Sequence, residues 1–471
     1  MSAAHSYYVA SAEPVAAAGR MNFVLVSASF LALAAGVLAL GSVQPEAQLA
    51  LRTMAAAIFA LWAAGQLVRG ELSIVRSPLY APALAFAGLA IVQIVFGITA
   101  NRHDTLVEVL NLGCYGLFAF VVLQAFTSRD CGKLLMIGVS GFGLVVAVFA
   151  LLQSFVPNGK LYWAVQVPTD AFFFGSYVNH NHYAGLMEML IPFPLVSAAQ
   201  RSLSLARRMF FVLSAVVMAA SVVISGSRGG VVALGCQLVL LVLIGRMLRM
   251  SRGAAVSLLV VLIATGLLLA IVADSGVAAR FGTLREPSRA DVAGWRMHLN
   301  RDSLAMWRAR PILGWGLGAF PTVYPQFRSF YDDVPIHEAH NDYLQLLTET
   351  GVIGGAIALW FLIALFRRGW RKLGRSRTAS DKAATMAALV AVSGILVHSI
   401  SDFNLHIPAN AALFFVMCAI AIAPVAERAE AAGEKGLRSH DQDSSSAPGE
   451  VDTLQGEVEI PRRLRVVTRR S

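Results

Sequence analysis

The sequence predicts an all-α polytopic membrane protein with about twelve transmembrane helices and a large helical periplasmic loop before the third-last span. Of its 471 residues, 57% are hydrophobic and 14% are charged, and the mean hydropathy is +0.64. Apolar runs of about 20 residues, the length that crosses a bilayer, recur along most of the chain. Basic residues also concentrate in alternate loops between these runs, as expected of membrane proteins.

The twelve predicted spans cover residues 23–41, 48–68, 79–100, 106–127, 134–156, 180–199, 209–227, 230–248, 255–273, 343–366, 383–402 and 408–426. Short loops after even-numbered spans hold 17 Lys and Arg residues, against three on the other side. Because cytoplasmic loops collect basic residues, both termini are predicted to be cytoplasmic. The first span lacks a small-residue cleavage site, which favours a retained span over a removed signal peptide.

This topology divides the chain into five parts. They are an N-terminal cytoplasmic tail (1–21), spans one to nine (22–273), a periplasmic loop (274–341), spans ten to twelve (342–426) and a disordered cytoplasmic tail (427–471). The loop is far longer than the usual connection of about 4 to 6 residues, which indicates a functional segment. The final tail is rich in Ser and charged residues and poor in aromatic residues, which is typical of disorder.

The net charge of +10 follows from the membrane topology and contact with anionic lipid, so it gives no support to nucleic-acid binding. The four cysteines have no paired spacing, and all fall in or beside predicted spans, which favours packing roles.

A polar cluster precedes the sixth predicted span, where the sequence reads NHNH from Asn179 to His182. Asn181 is predicted to cap the helix. Asn181 and His182 are predicted to form hydrogen bonds to a sugar. A metal site at the two histidines is the alternative, but side chains two residues apart on an irregular segment rarely converge, and no carboxylate lies nearby.

Arg228 stands at the outer end of the seventh span, in the stretch SGSRGG. An arginine at a membrane boundary often serves only as an interfacial anchor. Here Gly226, Gly229 and Gly230 remove side-chain bulk around it, so the sequence predicts close approach by an anion such as phosphate.

The long loop contains a stretch with partial helical periodicity from Trp295 to Arg310, predicted to form a helix on the membrane face. It is followed by GWGLGA, residues 314–319, which formally matches a dinucleotide fingerprint. No strand precedes it and no βαβ unit surrounds it, so the match is interpreted as spurious.

The stretch HNDYLQLLTETGVIGG begins at His340. If Asn341 caps the following helix, His340 lies at the positive end of the helix dipole, which disfavours protonation and suits a general base. Gly351 then lies about 16 Å deeper on nearly the same face. With Gly355 it is expected to form a small-residue surface that lets a neighbouring helix approach.

His340-Asn341, nine residues, Gly351, two residues and Gly354 resemble the H[NSQ]-x9-G-x-x-G signature of the bacterial O-antigen ligase and O-antigen polymerase superfamily. The resemblance extends to the many spans, the large loop, the SGSRG element and the stretch RPILGWGLGAF.

The resemblance implies a metal-independent glycosyltransferase without cofactors. It would use an undecaprenyl-diphosphate-linked glycan at the periplasmic face of the bacterial inner membrane. It assigns the catalytic histidine to His340 and diphosphate binding to Arg228 and Arg296. Asn181, His182, His337 and Asn341 are weaker candidates for contact with the glycan or acceptor.

Several functions remain open at this stage. The preferred hypothesis is a ligase acting on lipid A-core; the alternatives are an O-antigen or exopolysaccharide polymerase and a protein O-oligosaccharyltransferase. A solute transporter is a hypothesis from another class, for which Asp402 and His398 are the best ionisable candidates.

Overall fold

A computed structural model describes residues 4–126, 129–167, 172–200, 203–247, 263, 292–331, 335–376, 378–424 and 465–470. Its helices are α1 (Ala4–Leu38), α2 (Pro45–Arg69), α3 (Tyr80–Val95), α4 (Arg102–Ala125), α5 (Arg129–Phe155), α6 (His180–Leu190), α7 (Pro192–Ala198), α8 (Leu205–Ile224), α9 (Arg228–Met247), α10 (Val292–Ala309), α11 (Phe320–Val323), α12 (Asp342–Arg375), α13 (Ala379–His398) and α14 (Pro408–Ile422). The strands are β1 (Glu71–Arg76), β2 (Lys160–Leu161), β3 (Val165–Gln166) and β4 (Arg465–Arg470). The predicted all-α class is confirmed.

Within the described residues, eight helices are long and apolar enough to cross a membrane: Gly19–Leu38, Pro45–Arg69, Arg102–Ala125, Cys131–Phe155, Leu205–Ile224, Arg228–Met247, Asp342–Arg375 and Ala379–His398. Two shorter apolar helices are α3 and α14. The sixth predicted span is divided into α6 and α7, because Pro192 begins a new helix. The ninth predicted span lies outside the described residues, so a polytopic membrane protein is confirmed and the count of twelve stays a prediction.

The centre of the bundle is formed by α13 and α14. Helix α14 packs against α4 and α13, and α13 also packs against α9 and α6. The apolar window of α13 is 72% buried, whereas that of α2 is 28% buried. Small side chains such as Ala383, Ala387 and Ala391 on α13 are buried and let neighbouring helices approach closely.

Helix α12 is interrupted at Gly351, where φ is 63° and ψ is −169°. A Cβ atom at this position would lie 2.1 Å from the carbonyl oxygen of Ile312, so only glycine fits. The amide of Val352 donates a hydrogen bond of 2.8 Å to the carbonyl of Pro311. The segment 311–318 therefore pairs with the backbone of α12 at the break.

Gln93 of α3 joins this segment to α12. Its Nε2 donates to the carbonyl oxygens of Leu313 (2.7 Å) and Glu349 (2.9 Å). The prediction that Gly351 and Gly355 form a packing surface for a neighbouring helix was wrong. Gly351 contacts an extended backbone, and a Cβ on Gly355 would meet Leu347 of its own helix.

Both ends of the chain contain secondary structure outside the predicted spans. The predicted tail 1–21 is helical from Ala4, because α1 continues upstream of its apolar part. Within the tail predicted to be disordered, β4 pairs in parallel with β1, and the β-branched residues of its sequence, RVVTRR, favour a strand. Residues 427–464 and residue 471 of that tail lie outside the described part.

Candidate active site

His340 lies in the turn before α12, next to the capping residue Asn341. Its φ of 47° places it in the left-handed region, which residues other than glycine rarely adopt. The imidazole packs edge-on against Trp295, with 5.2 Å between ring centroids, and against Phe403 at 4.6 Å. The side chain is still 23% exposed. The two aromatic contacts thus orient an imidazole that solvent can reach.

A fully buried carboxylate, Asp402, lies beside His340 in the loop between α13 and α14. Its Oδ1 is 3.6 Å from Nδ1 of His340 and 3.7 Å from Nε2 of His182. Its Oδ2 is 3.9 Å from Nη2 of Arg296, near the start of α10. One carboxylate therefore gathers basic side chains from three distant parts of the chain.

These distances are longer than hydrogen bonds. Nδ1 of His340, Nε2 of His182, Nε of Arg296 and Oδ2 of Asp402 are all buried without a hydrogen-bond partner among the described residues. Buried polar atoms in proteins are usually hydrogen-bonded, and exceptions call for an explanation. These four atoms therefore retain unused hydrogen-bonding capacity.

The charge of Asp402 is set by its neighbours. Burial alone raises the pKa of a carboxyl group, but the imidazoles of His182 and His340 hold the pKa of Asp402 well below its usual range. Asp402 is therefore anionic at neutral pH. A carboxylate beside an imidazole stabilises the positive charge that develops when a general base accepts a proton during a reaction.

The polar cluster at α6 is only partly as predicted. Asn179, and not Asn181, caps the helix, since its Oδ1 accepts a hydrogen bond of 2.8 Å from the amide of Asn181. His182 is buried beneath the surface and packs edge-on against Phe403, on which His340 also packs. His180 packs edge-on against Phe172.

Arg228 begins α9 and its side chain is exposed. A Cβ on Gly229 would lie 2.7 Å from atoms of both His398 and Ser401, in and beside α13. A Cβ on Gly230 would lie 2.7 Å from Ala184 of α6. These glycines therefore allow close packing of helices and do not open space around Arg228. The predicted access of a ligand depends instead on the exposed side chain of Arg228.

Two further predicted residues lie beside His340. His337 is exposed. Asn341 caps α12 as predicted, since its Oδ1 accepts hydrogen bonds of 3.1 Å from the amides of Tyr343 and Leu344. This bonding occupies the amide oxygen of Asn341, so its amide nitrogen is the group available to a ligand.

The match to known families falls on this part of the molecule. Residues 213–359 match the family model described as O-antigen ligase. This region belongs to the O-antigen ligase and polymerase superfamily. The match supports an enzyme of that general type. No curated protein matches the chain significantly.

The matched region of this superfamily runs from within α8 into α12 and contains Arg228, Arg296 and His340. Asp402 and His182 lie outside it, yet the fold brings both next to His340. The structure thus joins the matched region to the helices on either side of it at one site.

A second histidine–carboxylate pair lies close by, between His406 and Asp342, the first residue of α12. Their Nδ1 and Oδ1 atoms are 2.8 Å apart, and Oδ2 of Asp342 accepts a hydrogen bond of 2.6 Å from Ser399. Burial lowers the pKa of His406, but Glu338 and the bond to Asp342 outweigh burial and raise it to about 10. Sequence reasoning missed this pair.

Below Arg228, Nδ1 of His398 lies 2.8 Å from Oε1 of Glu188, and both side chains are buried. Sequence reasoning considered His398 and Asp402 as candidates for a transport path. In the structure His398 is paired inside the bundle, whereas Asp402 faces His340. Among the described residues, no group of three or more His, Cys, Asp or Glu side chains is arranged to hold a metal ion.

Proposed function

We propose that this protein is a membrane glycosyltransferase that moves a glycan from undecaprenyl diphosphate to an acceptor hydroxyl, with His340 as general base. The observation that carries this proposal is the partly exposed His340 held beside the buried carboxylate of Asp402. The family match of the surrounding region supports the same reaction class.

In the proposed reaction, the acceptor oxygen forms a bond to the anomeric carbon of the glycan as the bond from that carbon to the diphosphate oxygen breaks. Nδ1 of His340 faces Asp402, so Nε2 is the nitrogen that accepts the hydroxyl proton. The electron pair of the broken bond leaves with undecaprenyl diphosphate.

Positive charge is needed where the diphosphate departs. Arg296 lies beside Asp402 with its guanidinium partly exposed. Arg228 is exposed at the start of α9, next to the Gly229 that packs on His398 and Ser401. We assign the leaving diphosphate to these two arginines, because one guanidinium group can donate two parallel hydrogen bonds to phosphate oxygens.

The proposed acceptor is lipid A-core, so the protein would be a ligase. We place it in the inner membrane, with the site on the periplasmic side and both termini in the cytoplasm. A polymerase that extends an O-antigen or exopolysaccharide, or an enzyme that glycosylates protein, would use the same donor and the same base. The transporter alternative is less well supported, because Asp402 is surrounded by His340, His182 and Arg296 outside the spanning helices.

Lipopolysaccharide banding on a gel tests the proposal in a host that depends on this protein. With His340→Ala, unmodified core and accumulated long lipid-linked glycan are expected for a ligase, whereas core bearing a single repeat indicates a polymerase. His103→Ala is the matched control, because His103 is another exposed histidine on the side predicted to be periplasmic. Normal banding in both the His340→Ala and Arg228→Ala strains, with normal expression, would refute the catalytic assignment.

The proposed mechanism needs no metal ion. Transfer by the purified protein is therefore expected to continue at an unchanged rate after EDTA treatment and dialysis. Loss of activity that added Mg²⁺ or Mn²⁺ restores would contradict this part of the proposal.

A further inference from the structure

A groove lies at the end of α12 that is remote from His340. It has a volume of about 390 Å³ and is lined by Pro78 and by one face of α12 from Trp360 to Arg371. The uninterrupted part of α12 from Val352 to Arg367 alone extends roughly 22 Å at 1.5 Å per residue. The groove is therefore separate from the candidate active site.

The lining changes from apolar to basic along α12. Trp360 and Ile363 are 47% and 46% exposed, and Arg367 and Arg371 continue the same face one and two turns further along. Residues three or four positions apart share one side of a helix. This order matches a bilayer surface, where acyl chains give way to charged headgroups.

Two of the arginines that line this groove, Arg367 and Arg371, are available to a ligand. Neither Arg367 nor Arg371 forms an ion pair or hydrogen bond with another residue that the structure describes, and both are exposed. An exposed arginine at a membrane boundary is sufficiently explained by the interface alone. Arg367 and Arg371 instead line one groove together with the apolar side chains of Trp360 and Ile363. This combination suits an anion with an attached acyl chain.

The opposite wall is formed by Pro78. Pro78 follows β1 closely, and β1 pairs in parallel with β4, so that Arg76 is in register with Arg470 and Val75 with Arg469. The pairing brings the basic C-terminal strand to the same end of the bundle as the groove. Basic residues also dominate the loops predicted to be cytoplasmic, so this end is expected to face the inner leaflet.

We propose that this groove binds an anionic phospholipid of the cytoplasmic leaflet. Arg367 and Arg371 bind its phosphate, and Trp360 and Ile363 contact the first part of its acyl chains. Basic pockets between membrane helices suit lipid phosphates, and guanidinium groups are less strongly hydrated than ammonium groups.

Native mass spectrometry of the purified full-length protein, titrated with phosphatidylglycerol, tests the proposal. Each basic residue near an anionic surface contributes about fivefold in affinity, so Arg367→Gln/Arg371→Gln is expected to weaken binding roughly 25-fold. The matched control is Arg207→Gln/Arg246→Gln, which removes equal charge from two exposed arginines at the ends of α8 and α9. The control is expected to bind as the unchanged protein does.

Three outcomes would overturn the proposal. The first is binding of phosphatidylglycerol no tighter than that of phosphatidylethanolamine. The second is equal weakening in the control, which indicates a diffuse surface charge. The third is preferential binding of undecaprenyl phosphate over phosphatidylglycerol, which assigns the groove to the lipid carrier.

A second variant tests the apolar part of the groove without changing charge. Trp360→Ala is expected to weaken phosphatidylglycerol binding while leaving competition by glycerol phosphate unchanged. Equal melting temperatures of the variants and the unchanged protein establish that they are folded. These measurements concern lipid binding alone, so their failure leaves the proposed role of His340 unaffected.

Discussion

Two histidine–carboxylate pairs lie close together, with equally exposed imidazoles, and differ in distance and in hydrogen bonding. Nδ1 of His340 and Oδ1 of Asp402 are 3.6 Å apart, and each residue has a buried polar atom without a hydrogen-bond partner among the described residues. Nδ1 of His406 and Oδ1 of Asp342 are 2.8 Å apart, and Oδ2 of Asp342 accepts a hydrogen bond from Ser399. The first pair has unused hydrogen-bonding capacity and the second is saturated.

The difference indicates a division of roles between neighbouring residues. A saturated pair stabilises the fold, because its bonds exist before any ligand arrives and would have to break to bind one. A pair with unpaired buried atoms gives up stability, and such sites are common where a protein binds or reacts. Asp342 follows His340 by only two residues, so sequence position alone does not separate the roles.

The strongest test compares His340→Ala with His406→Ala. For His340→Ala we expect kcat to fall by about 100- to 10,000-fold at an unchanged melting temperature, because a general base is lost and no saturated bond is broken. For His406→Ala we expect a lower melting temperature and retained activity per folded molecule. Transfer rates and thermal unfolding of the purified variants provide the measurement.

His340→Asn is the control for backbone strain, because asparagine tolerates the left-handed conformation better than alanine does. It should be as inactive as His340→Ala. Loss of activity to the same extent in His406→Ala, with the fold intact, would erase the distinction between the pairs.

Asp402→Asn tests the carboxylate that lies beside His340. We expect kcat to fall by about 100-fold with little change in KM, less than the roughly 10⁴-fold seen for the comparable change in a serine-protease triad, because the contact at Asp402 is longer than a hydrogen bond. Steady-state kinetics separate the two parameters. A raised KM at constant kcat would instead make Asp402 a substrate-binding residue.

The pH dependence of stability tests the saturated pair. The pKa of His406 is raised from 6.5 to about 10 in the folded protein, so its stabilising contribution is complete below pH 6.5, shrinks as the pH rises and is lost above pH 10. Melting temperatures of the unchanged protein and His406→Gln should therefore differ most below pH 6.5 and converge above pH 10. A constant difference across this range would exclude the charged pair as its source.

The break in α12, the helix that follows His340 and begins at Asp342, gives the smallest expected effect, which is on stability. Gly351→Ala should destabilise the protein by about 1 to 3 kcal/mol from backbone strain alone, since φ is positive and Ile312 is too close. Gly355→Ala is the matched control, because its Cβ would meet only the flexible side chain of Leu347. Equal melting temperatures for the two variants would contradict the role assigned to the break.

The fold class and several helix starts were predictable from the sequence because their signals are local. Asn341 caps α12 and the helix within the long loop lies where its periodicity indicates. Such features depend on neighbouring residues and on hydropathy, both of which a single sequence contains. The assignment of His340 rested on the same kind of local pattern and stays a prediction.

The role of Asp402 was not predictable, because its partners are remote in the chain and only the packing of α6, α10 and α13 brings them together. The break at Gly351 was missed for a related reason. The spacing of Gly351 and Gly355 equally suits a continuous helix, and only the backbone of Ile312 requires the positive φ.

The interruption of α12 separates its short first part, which carries Asp342 and follows His340, from the long part that crosses the lipid. The first part is held by protein backbone, because the carbonyls of Thr348 and Glu349 accept hydrogen bonds from the amides of Trp315 and Gly316. The second part extends for roughly 36 Å from Val352 to Arg375. Bilayers differ in thickness by a few ångströms, and tilting of the long part can absorb that difference. We therefore expect the height of the reactive imidazole to be set by the protein scaffold and to vary little between thin and thick membranes.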